Sequence, residues 1–389
     1  MFRSIRSFYL HLAVLATITR GSSAEDSDAC NCYLTNGTNS AYYSQHAFYD
    51  FRDLGKYARV PSPIRNASMK TDVTSDYFES DAWDNTWGIQ DWNNRGSGGV
   101  SLSGDATVLM VNSPNNIYIE KNEDNNAASD TFLTLRTMRL PGFQSAAEFE
   151  SVSTYHYLSV RMLARVTGSP GACMALFTYL EGEELADVQE ADIEIMTRDP
   201  KNRIQYTNQP SFTDDGDEVP KATRNGTLPK GVGWDDWIVH RLDWTPERSV
   251  WYVQGEEVAS IEFQTPKDPA QIILNAWSDG GSWSGNMSLN DAAYMQIQWI
   301  DMVYNATKDN DDSKRSLDNQ HSGRDDGQES TLVRREDEDG CKVVCSIDEV
   351  DEAGEAKVLS KSAASHMTDL SGGWRTAIVM GITIMMSYI

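Results

Sequence analysis

The sequence has no basic surplus, few histidines and almost no helical periodicity, and each shortage excludes a class of protein. Its 389 residues include 33 Lys and Arg against 58 Asp and Glu, which gives a formal net charge of −25 at pH 7. A nucleic-acid partner is excluded, because binding to a phosphate backbone requires a basic face. The six histidines and five cysteines show no zinc-ligand spacing, so we expect neither a metal nor a cofactor. A neutral polymer such as a polysaccharide suits an acidic chain better.

Cysteine is scarce, and because the count is odd at least one cysteine has no disulfide partner within the chain. Five cysteines fit an oxidising compartment, but their pairing is open because several combinations are possible. Cys30 and Cys32 are too close in sequence to favour a bridge with each other. We expect at least one of them to connect the N-terminus to Cys173, and we expect Cys341 and Cys345 to close a small loop.

The N-terminus has the features of a secretory signal. Arg3 and Arg6 precede an apolar run at residues 8–19, which is followed by small residues ending at Ala24. The run is too short to cross a bilayer as a helix. We therefore predict a signal peptide over residues 1–24 and a secreted protein.

A second apolar run, Ala377–Ile389, lies at the C-terminus. As a helix it would extend only ~20 Å, less than the ~30 Å core of a bilayer. Small residues at Ser362 and a polar spacer complete the pattern of a glycosylphosphatidylinositol (GPI) signal, with attachment at Ser362 and removal of residues 365–389. Attachment near Ser371 and a short tail anchor are the alternatives. The pattern predicts a protein held at the cell surface, on the plasma membrane or the cell wall, through a lipid anchor.

The region between these ends divides into a domain and a linker. Residues 306–364 are acidic and contain few apolar side chains, so they cannot offset the entropy of ordering the chain. We predict a linker that is disordered to about Gly340. Residues 25–305 have the length of one large β domain, which we expect to be monomeric.

Five Asn-x-Ser/Thr sequences are consistent with passage through the secretory pathway. The predicted glycosylation sites are Asn36, Asn66, Asn225, Asn286 and Asn305.

Short alternating apolar runs separated by Asn, Pro and Gly turns dominate residues 108–304. Residues 157–166, for example, alternate apolar and polar side chains as a half-buried strand does. About a dozen such strands predict an all-β fold, a two-sheet antiparallel β-sandwich of the jelly-roll kind in which one concave sheet carries the functional acids. Three tryptophans, Trp83, Trp87 and Trp92, lie in a loop-like segment, where core packing and sugar binding are equally good interpretations.

Residues 189–196 carry the strongest functional pattern. In a β-strand, Glu190, Asp192 and Glu194 point to one face and the apolar residues that alternate with them point to the other. A solvated acidic strand is the alternative interpretation. Against it, three like charges without an interleaved Lys or Arg repel one another, which favours a functional site.

The spacing of these carboxylates suits glycoside chemistry. The Cα atoms of Glu190 and Glu194 are expected ~13 Å apart, so side chains that lean together bring the carboxyl groups to ~5–6 Å, the separation of a retaining pair. Asp192 lies between them and can hydrogen-bond either one. Like charges this close push the pKa values apart, so one Glu stays protonated while its partner is ionised.

The motif Glu190-Ala191-Asp192-Ile193-Glu194 resembles the catalytic signature of glycoside hydrolase family 16, whose members share a concanavalin A-like jelly roll. Further segments that resemble the family, especially its secreted ascomycete members, are residues 157–161, 243–246, 251–255 and 275–280. The resemblance extends over about residues 30–305. It implies that Glu190 is the nucleophile, Glu194 the general acid/base and Asp192 their helper, acting on cell-wall β-glucan. The motif lacks the extra residue of bulged laminarinases, so it is closer to the branch with xyloglucan transglycosylases, which implies sugar transfer beside hydrolysis.

Three further residues are predicted to bind substrate. Trp283 is flanked by glycines that keep its face open for stacking on a sugar ring, although a loop-anchoring role is the alternative. Trp277 and Asn208 are weaker candidates. The rival to an enzyme is a cell-surface carbohydrate-binding protein that kept the sandwich and lost catalysis, because a fold alone does not establish activity.

Overall fold

The computed structural model describes residues 30–307, except 97, 98, 100 and 214, and residues 341–361, except 349. The predicted signal peptide, the GPI site Ser362 with the C-terminal signal, and most of the predicted linker lie outside the described residues. Within the described part, no helix is long and apolar enough to cross a bilayer.

Twenty strands make up almost all of the regular structure in the described residues. They are β1 (Cys32–Leu34), β2 (Tyr42–Tyr43), β3 (Gln45–Asp50), β4 (Trp87–Ile89), β5 (Met110–Asn112), β6 (Ile117–Lys121), β7 (Thr131–Leu140), β8 (Phe143–Ser151), β9 (Tyr155–Gly168), β10 (Cys173–Leu180), β11 (Gln189–Met196), β12 (Arg203–Gln209), β13 (Thr223–Thr227), β14 (Ile238–Trp244), β15 (Ser249–Val253), β16 (Glu256–Ile261), β17 (Gln271–Trp277), β18 (Ala292–Ala306), β19 (Val343–Ser346) and β20 (Lys357–Lys361). One short helix, α1 (Asp81–Asp84), and four 3-10 turns at Gly55–Tyr57, Asp76–Glu79, Pro114–Asn116 and Leu185–Asp187 complete it.

The strands form two facing antiparallel sheets. The first, which we call the cleft sheet, has the order β13-β12-β11-β10-β17-β8, with β4 beyond β8. The opposite sheet has the order β6-β7-β18-β9-β14-β15-β16, and β3 pairs with the second half of β18. Strand β8 also pairs with β7 and, in parallel, with β5, so it connects the two sheets at one side. The predicted all-β jelly-roll sandwich is confirmed.

The core lies between the sheets because each strand alternates its side chains. On β11, Ala191, Ile193 and Ile195 are almost completely buried, and they pack in one cluster with residues of the opposite sheet such as Met162 and Ile297. Each large apolar side chain buried in this way contributes about 1.5–3 kcal/mol. The packing leaves the other face of β11 free for polar side chains.

The N-terminal tryptophans divide between the two interpretations. Trp83 and Trp87 are each 1% exposed; Trp87 packs edge-on against Phe149, and Trp83 packs tilted against the same ring. Trp92 is 43% exposed and lines a cleft on the cleft sheet. Core packing therefore accounts for the first two and leaves Trp92 for the site.

A third, small sheet with the order β2-β1-β19-β20 corrects the disulfide prediction. Cys30 bonds to Cys345 and Cys32 bonds to Cys341, whereas Cys173 is a free, buried thiol. The expected bridge to Cys173 and the Cys341–Cys345 loop are both wrong. The parallel pairing of β1 with β19 brings the two terminal segments side by side, which local spacing could not reveal.

The same small sheet corrects the linker boundary, because residues 341–361 fold onto the domain. Asp348 in this segment is buried against the opposite sheet, where it forms ion pairs with Arg161 and, at 3.0 Å, with Arg241. Arg241 also pairs with Asp243 at 2.6 Å. The folded domain thus includes a C-terminal segment that composition alone assigned to the linker.

Candidate active site

Strand β11 brings the three predicted carboxylates to one place. It pairs residue by residue with β10 and β12, without a register shift between Glu190 and Glu194, as the unbulged motif predicts. Glu190, Asp192 and Glu194 all line a cleft of about 980 Å³ on the face opposite the core.

The floor of the cleft is built by neighbouring strands in register. Glu194 lies opposite Ala175 of β10, which lies opposite Asn275 of β17, and Asn275 lies opposite Glu148 of β8. Residues paired directly across antiparallel strands share one face of the sheet. The row therefore places a second acidic group, Glu148, across the cleft from the carboxylates of β11.

Burial dominates the electrostatics of the three carboxylates of β11. Desolvation raises the pKa of Glu190 to about 7 and that of Glu194 to about 7. Desolvation also raises the pKa of Asp192, as do the charges of both glutamates. The side chain of Asp192 lowers the pKa of the neighbouring Glu190, and the side chain of Glu190 raises the pKa of Asp192. This interaction therefore favours the ionised form of Glu190 over that of Asp192.

Glu194 has two different carboxyl oxygens. The indole Nε1 of Trp283 donates to its Oε1 at 2.8 Å, and the thiol Sγ of Cys173 lies 3.6 Å from the same atom. Its Oε2 is buried and has no hydrogen-bond partner among the described residues. One oxygen of Glu194 is thus held by the indole, and the other is buried without a partner among the described residues.

Trp283 is held in place by its loop, residues 278–285. Gly280 has φ +75°, and a Cβ there would meet Thr107 Oγ1 at 2.3 Å, so glycine is required for this close approach. The backbone N–H of Ser282 donates to Asp105 Oδ2 at 2.8 Å. The loop is therefore fastened to residues 105–107, which fixes the direction of the indole N–H.

Glu148 is a site residue that the sequence analysis missed. It is 7% exposed and accepts hydrogen bonds from Trp92 Nε1 at 2.7 Å and Asn275 Nδ2 at 3.4 Å. Burial raises its pKa. The sequence does contain a pattern that could have indicated this residue. Glu148-Phe149-Glu150 alternates acidic and apolar side chains in the same way as β11.

The predicted substrate-binding residues have different positions. Trp277 lines the cleft, and Trp283 packs beside it in a cluster with Cys173. Asn208 is completely buried, lies opposite Ala191, and donates to the backbone oxygen of Phe263 at 3.0 Å. It faces the core, so its prediction as a substrate ligand is wrong. Its neighbour Gln209 faces the cleft instead and donates to Asp192 at 3.4 Å.

Among the described residues, no group of three or more His, Cys, Asp or Glu side chains is arranged to hold a metal ion. The predicted glycosylation sites Asn36, Asn66, Asn225 and Asn286 are exposed, and Asn305 is half-buried.

The described residues thus form a β-sandwich with a cleft that is lined by carboxylates. Residues 111–301 match the family model described as "Glycosyl hydrolases family 16". The match covers 191 of the 389 residues (111–301), just under half of the chain.

Individual relatives are distant. A "Beta-glucanase" of Bacillus amyloliquefaciens is 25% identical over 162 residues, which is 39% of this chain and 62% of that protein. A "Probable glycosidase CRR1" of Saccharomyces cerevisiae is 26% identical over 89 residues, 20% of this chain and 21% of the relative. The solved structure of a Bacillus licheniformis beta-glucanase is 20% identical and has a TM-score of 0.43, covering 57% of this chain and 92% of that one. This chain spans less than two thirds of the length of the curated relatives it matches.

Proposed function

We propose that the protein is a retaining glycoside hydrolase that acts on β-glucan. The observation that supports this most directly is the row of three carboxylates on one unbulged strand, two of them buried and Glu190 half-buried, facing a cleft. Two of them can divide the roles of nucleophile and acid/base, because their surroundings differ although burial raises the pKa of both.

Glu190 is the nucleophile in this proposal. Its carboxylate attacks the anomeric carbon, while Glu194 gives its proton to the departing glycosidic oxygen. One C–O bond breaks and one ester C–O bond forms, so the sugar is held covalently on Glu190. Glu194, now ionised, then takes a proton from the incoming hydroxyl as that oxygen displaces Glu190. The side chain of Asp192 supports this division, because its interaction with Glu190 lowers the pKa of Glu190.

The residues that line the cleft support a neutral polymer as substrate. Besides the three acids of β11, the cleft is lined by Glu148, Glu150, Glu181 and Asp279, and none of the described lining residues is a Lys or Arg. An anionic polysaccharide would be repelled by this field. The names of the Bacillus relatives add weight to a β-glucan.

Sugar transfer beside hydrolysis is part of the proposal. Once the glycosyl group is on Glu190, water and a glucan hydroxyl compete for it. Trp277 and Trp283 beside Glu194 offer aromatic surface that would hold an acceptor sugar in attack geometry. A labelled oligosaccharide acceptor in excess should then yield products longer than the donor.

The location is proposed from the sequence: secretion by residues 1–24 and a GPI anchor in place of residues 365–389. A phospholipase specific for GPI anchors should release the protein from cells. A protein that stays in the membrane fraction would favour a tail anchor instead.

The role assignment is tested by exchanging each glutamate for its amide. Glu190→Gln should abolish turnover of β-glucan, because an amide cannot attack the anomeric carbon, whereas Glu194→Gln should keep its first step on substrates whose leaving group needs no proton. Glu183→Gln, an exposed loop residue, is the matched control and should be fully active. Near-normal turnover by Glu190→Gln would refute the mechanism. A wild-type protein that binds β-glucan without cleaving it would support a carbohydrate-binding protein.

A further inference from the structure

Asn225 lies on the cleft face of the cleft sheet, close to the catalytic strand. Glu194 on β11 lies opposite Gln205 on β12, and Gln205 lies opposite Asn225 on β13. Residues paired in this way share one face, and two strand spacings put Asn225 ~10 Å from Glu194. Gly226 confirms the orientation, because it packs against the ring of the core residue Tyr206 on the opposite face.

The cleft is asymmetric about the catalytic strand. The cavity extends from β11 over β10, β17 and β8, and none of its lining residues belongs to β12 or β13. On the β12–β13 side the cleft face of the sheet carries polar side chains, namely the exposed Arg203, the half-buried Gln205 and Thr223 and the buried Thr207. A polysaccharide that crosses the catalytic carboxylates must continue over this shallow side.

Asn225 is also the residue on this shallow side that can be modified. Asn225-Gly226-Thr227 is an acceptor sequence for N-linked glycosylation. Its side chain is exposed, and its Oδ1 accepts a hydrogen bond from Arg203 Nε at 3.2 Å. Its Nδ2 has no hydrogen-bond partner among the described residues. Of the five candidate acceptors, Asn225 alone lies on a strand of the cleft sheet.

We propose that an N-linked oligosaccharide on Asn225 occupies the shallow side of the cleft and limits the length of the glucan chain that the enzyme accepts there. The inference rests on the proposed function. In the secretory pathway the oligosaccharide is transferred from a lipid pyrophosphate donor: the Nδ2–C1 bond forms, the C1–O bond of the donor breaks, and a proton leaves Nδ2. The attached glycan then competes with the substrate for the polar surface of β12 and β13.

Two substitutions remove the glycan in different ways. Asn225→Gln removes the acceptor nitrogen, and Thr227→Ala keeps Asn225 but destroys the acceptor sequence. Thr227→Ser changes the same position and keeps the acceptor sequence, so it is the matched control. Asn66→Gln removes a candidate glycan from a loop away from the cleft sheet. All are made in the full chain, secreted from a eukaryotic host, and mass spectrometry of the peptide around residue 225 measures occupancy.

The kinetic test compares a long neutral β-glucan with a short aryl β-glucoside of the same linkage. A sugar unit that gains two hydrogen bonds on the freed surface strengthens binding about tenfold. Asn225→Gln and Thr227→Ala should therefore raise kcat/KM on the long chain by about tenfold, with no change on the aryl substrate. Thr227→Ser and Asn66→Gln should match the wild type on both.

The outcomes separate this inference from the proposed function. If the secreted protein carries no glycan on Asn225, the inference is overturned. It is also overturned if the glycan is present and its removal leaves kcat/KM on the long chain unchanged. In both cases activity on the aryl substrate persists, so the proposed function stands. Absence of activity on both substrates in the wild type would instead overturn the proposed function, and the occupancy measurement would remain valid.

Discussion

At the scale of single residues, the two carboxyl oxygens of Glu194 have different surroundings. Oε1 is held by Trp283 and Cys173, whereas Oε2 is left without a partner among the described residues. An unpartnered buried oxygen is costly unless a ligand satisfies it. The unpartnered Oε2 therefore favours the protonated, uncharged form of Glu194.

Trp283→Phe should move the pH dependence of the proposed reaction. The indole N–H stabilises the ionised form of Glu194 and so lowers its pKa. Phenylalanine keeps an aromatic ring but not the donor, so the pKa of Glu194 should rise further. Because Glu194 must be protonated for the first step, the basic limb of the kcat/KM profile should shift upward by about one pH unit.

Trp277→Phe is the control for this shift, because Trp277 packs in the same cluster and has no hydrogen bond to Glu194. The basic limb of the kcat/KM profile of Trp277→Phe should lie at the same pH as that of the wild type. If the basic limb of the Trp283→Phe profile is unchanged or moves to lower pH, the indole N–H does not lower the pKa of Glu194.

The site residues that the sequence could predict are those of β11. Alternation within one strand separates Glu190 from Ala191 without any knowledge of the fold. Asn208 and Gln209 could not be assigned, because which of the two faces the cleft depends on the register between β11 and β12. Glu148 carried the same alternation signal, but only pairing through β17 brings it to the cleft.

At the scale of elements, strands β19 and β20 complete the domain. Strand β19 has four residues and β20 has five, and such short segments rarely offset their ordering entropy unaided. Two disulfides to the N-terminal segment and the ion pairs of Asp348 supply the missing stabilisation. Long strands such as β9 and β18 were predictable because their apolar alternation is local, whereas β19 depends on partners that are more than 300 residues away.

Asp348→Asn should destabilise the fold. Asp348 is 4% exposed and pairs with Arg161 and Arg241. Removal of one partner leaves a buried charge uncompensated, which costs about 3–5 kcal/mol, although Asp243 still pairs with Arg241. We expect a loss of about 3 kcal/mol in the free energy of unfolding by denaturant titration.

Asp91→Asn is the comparison, because Asp91 pairs with Lys70 at 2.6 Å on the surface, where both side chains are mostly exposed. Such a pair contributes less than about 1 kcal/mol. Equal effects of the two substitutions would mean that the C-terminal segment does not hold the domain together.

At the scale of the whole molecule, stability and activity require different pH ranges. Burial raises the pKa of Glu190 and of Glu194 from 4.5 to about 7, so their contribution to stability is complete below the unfolded pKa and is lost as the pH rises through about 7. Burial also raises the pKa of Asp192, so its contribution has the same sign. Burial lowers the pKa of His240 from 6.5 to about 4, so its contribution is lost as the pH falls below 6.5. The fold should be most stable in mildly acid solution, while the proposed reaction requires partial ionisation of the triad near neutrality.

Glu194→Gln should therefore stabilise the protein in alkaline solution while it impairs the proposed reaction. The amide keeps an oxygen that accepts the hydrogen bond of Trp283 but carries no charge that must be desolvated. Since burial raises the pKa of Glu194 from 4.5 to about 7, the gain at pH 8 should be on the order of 2–3 kcal/mol and should vanish near pH 4.5, where the wild-type carboxyl is protonated. Thermal unfolding at the two pH values measures the difference, and Glu183→Gln, on an exposed loop, should show none. Equal destabilisation of Glu194→Gln at both pH values would contradict this prediction. It would indicate a lost packing contact, whose effect does not depend on pH, and not the removal of a buried charge.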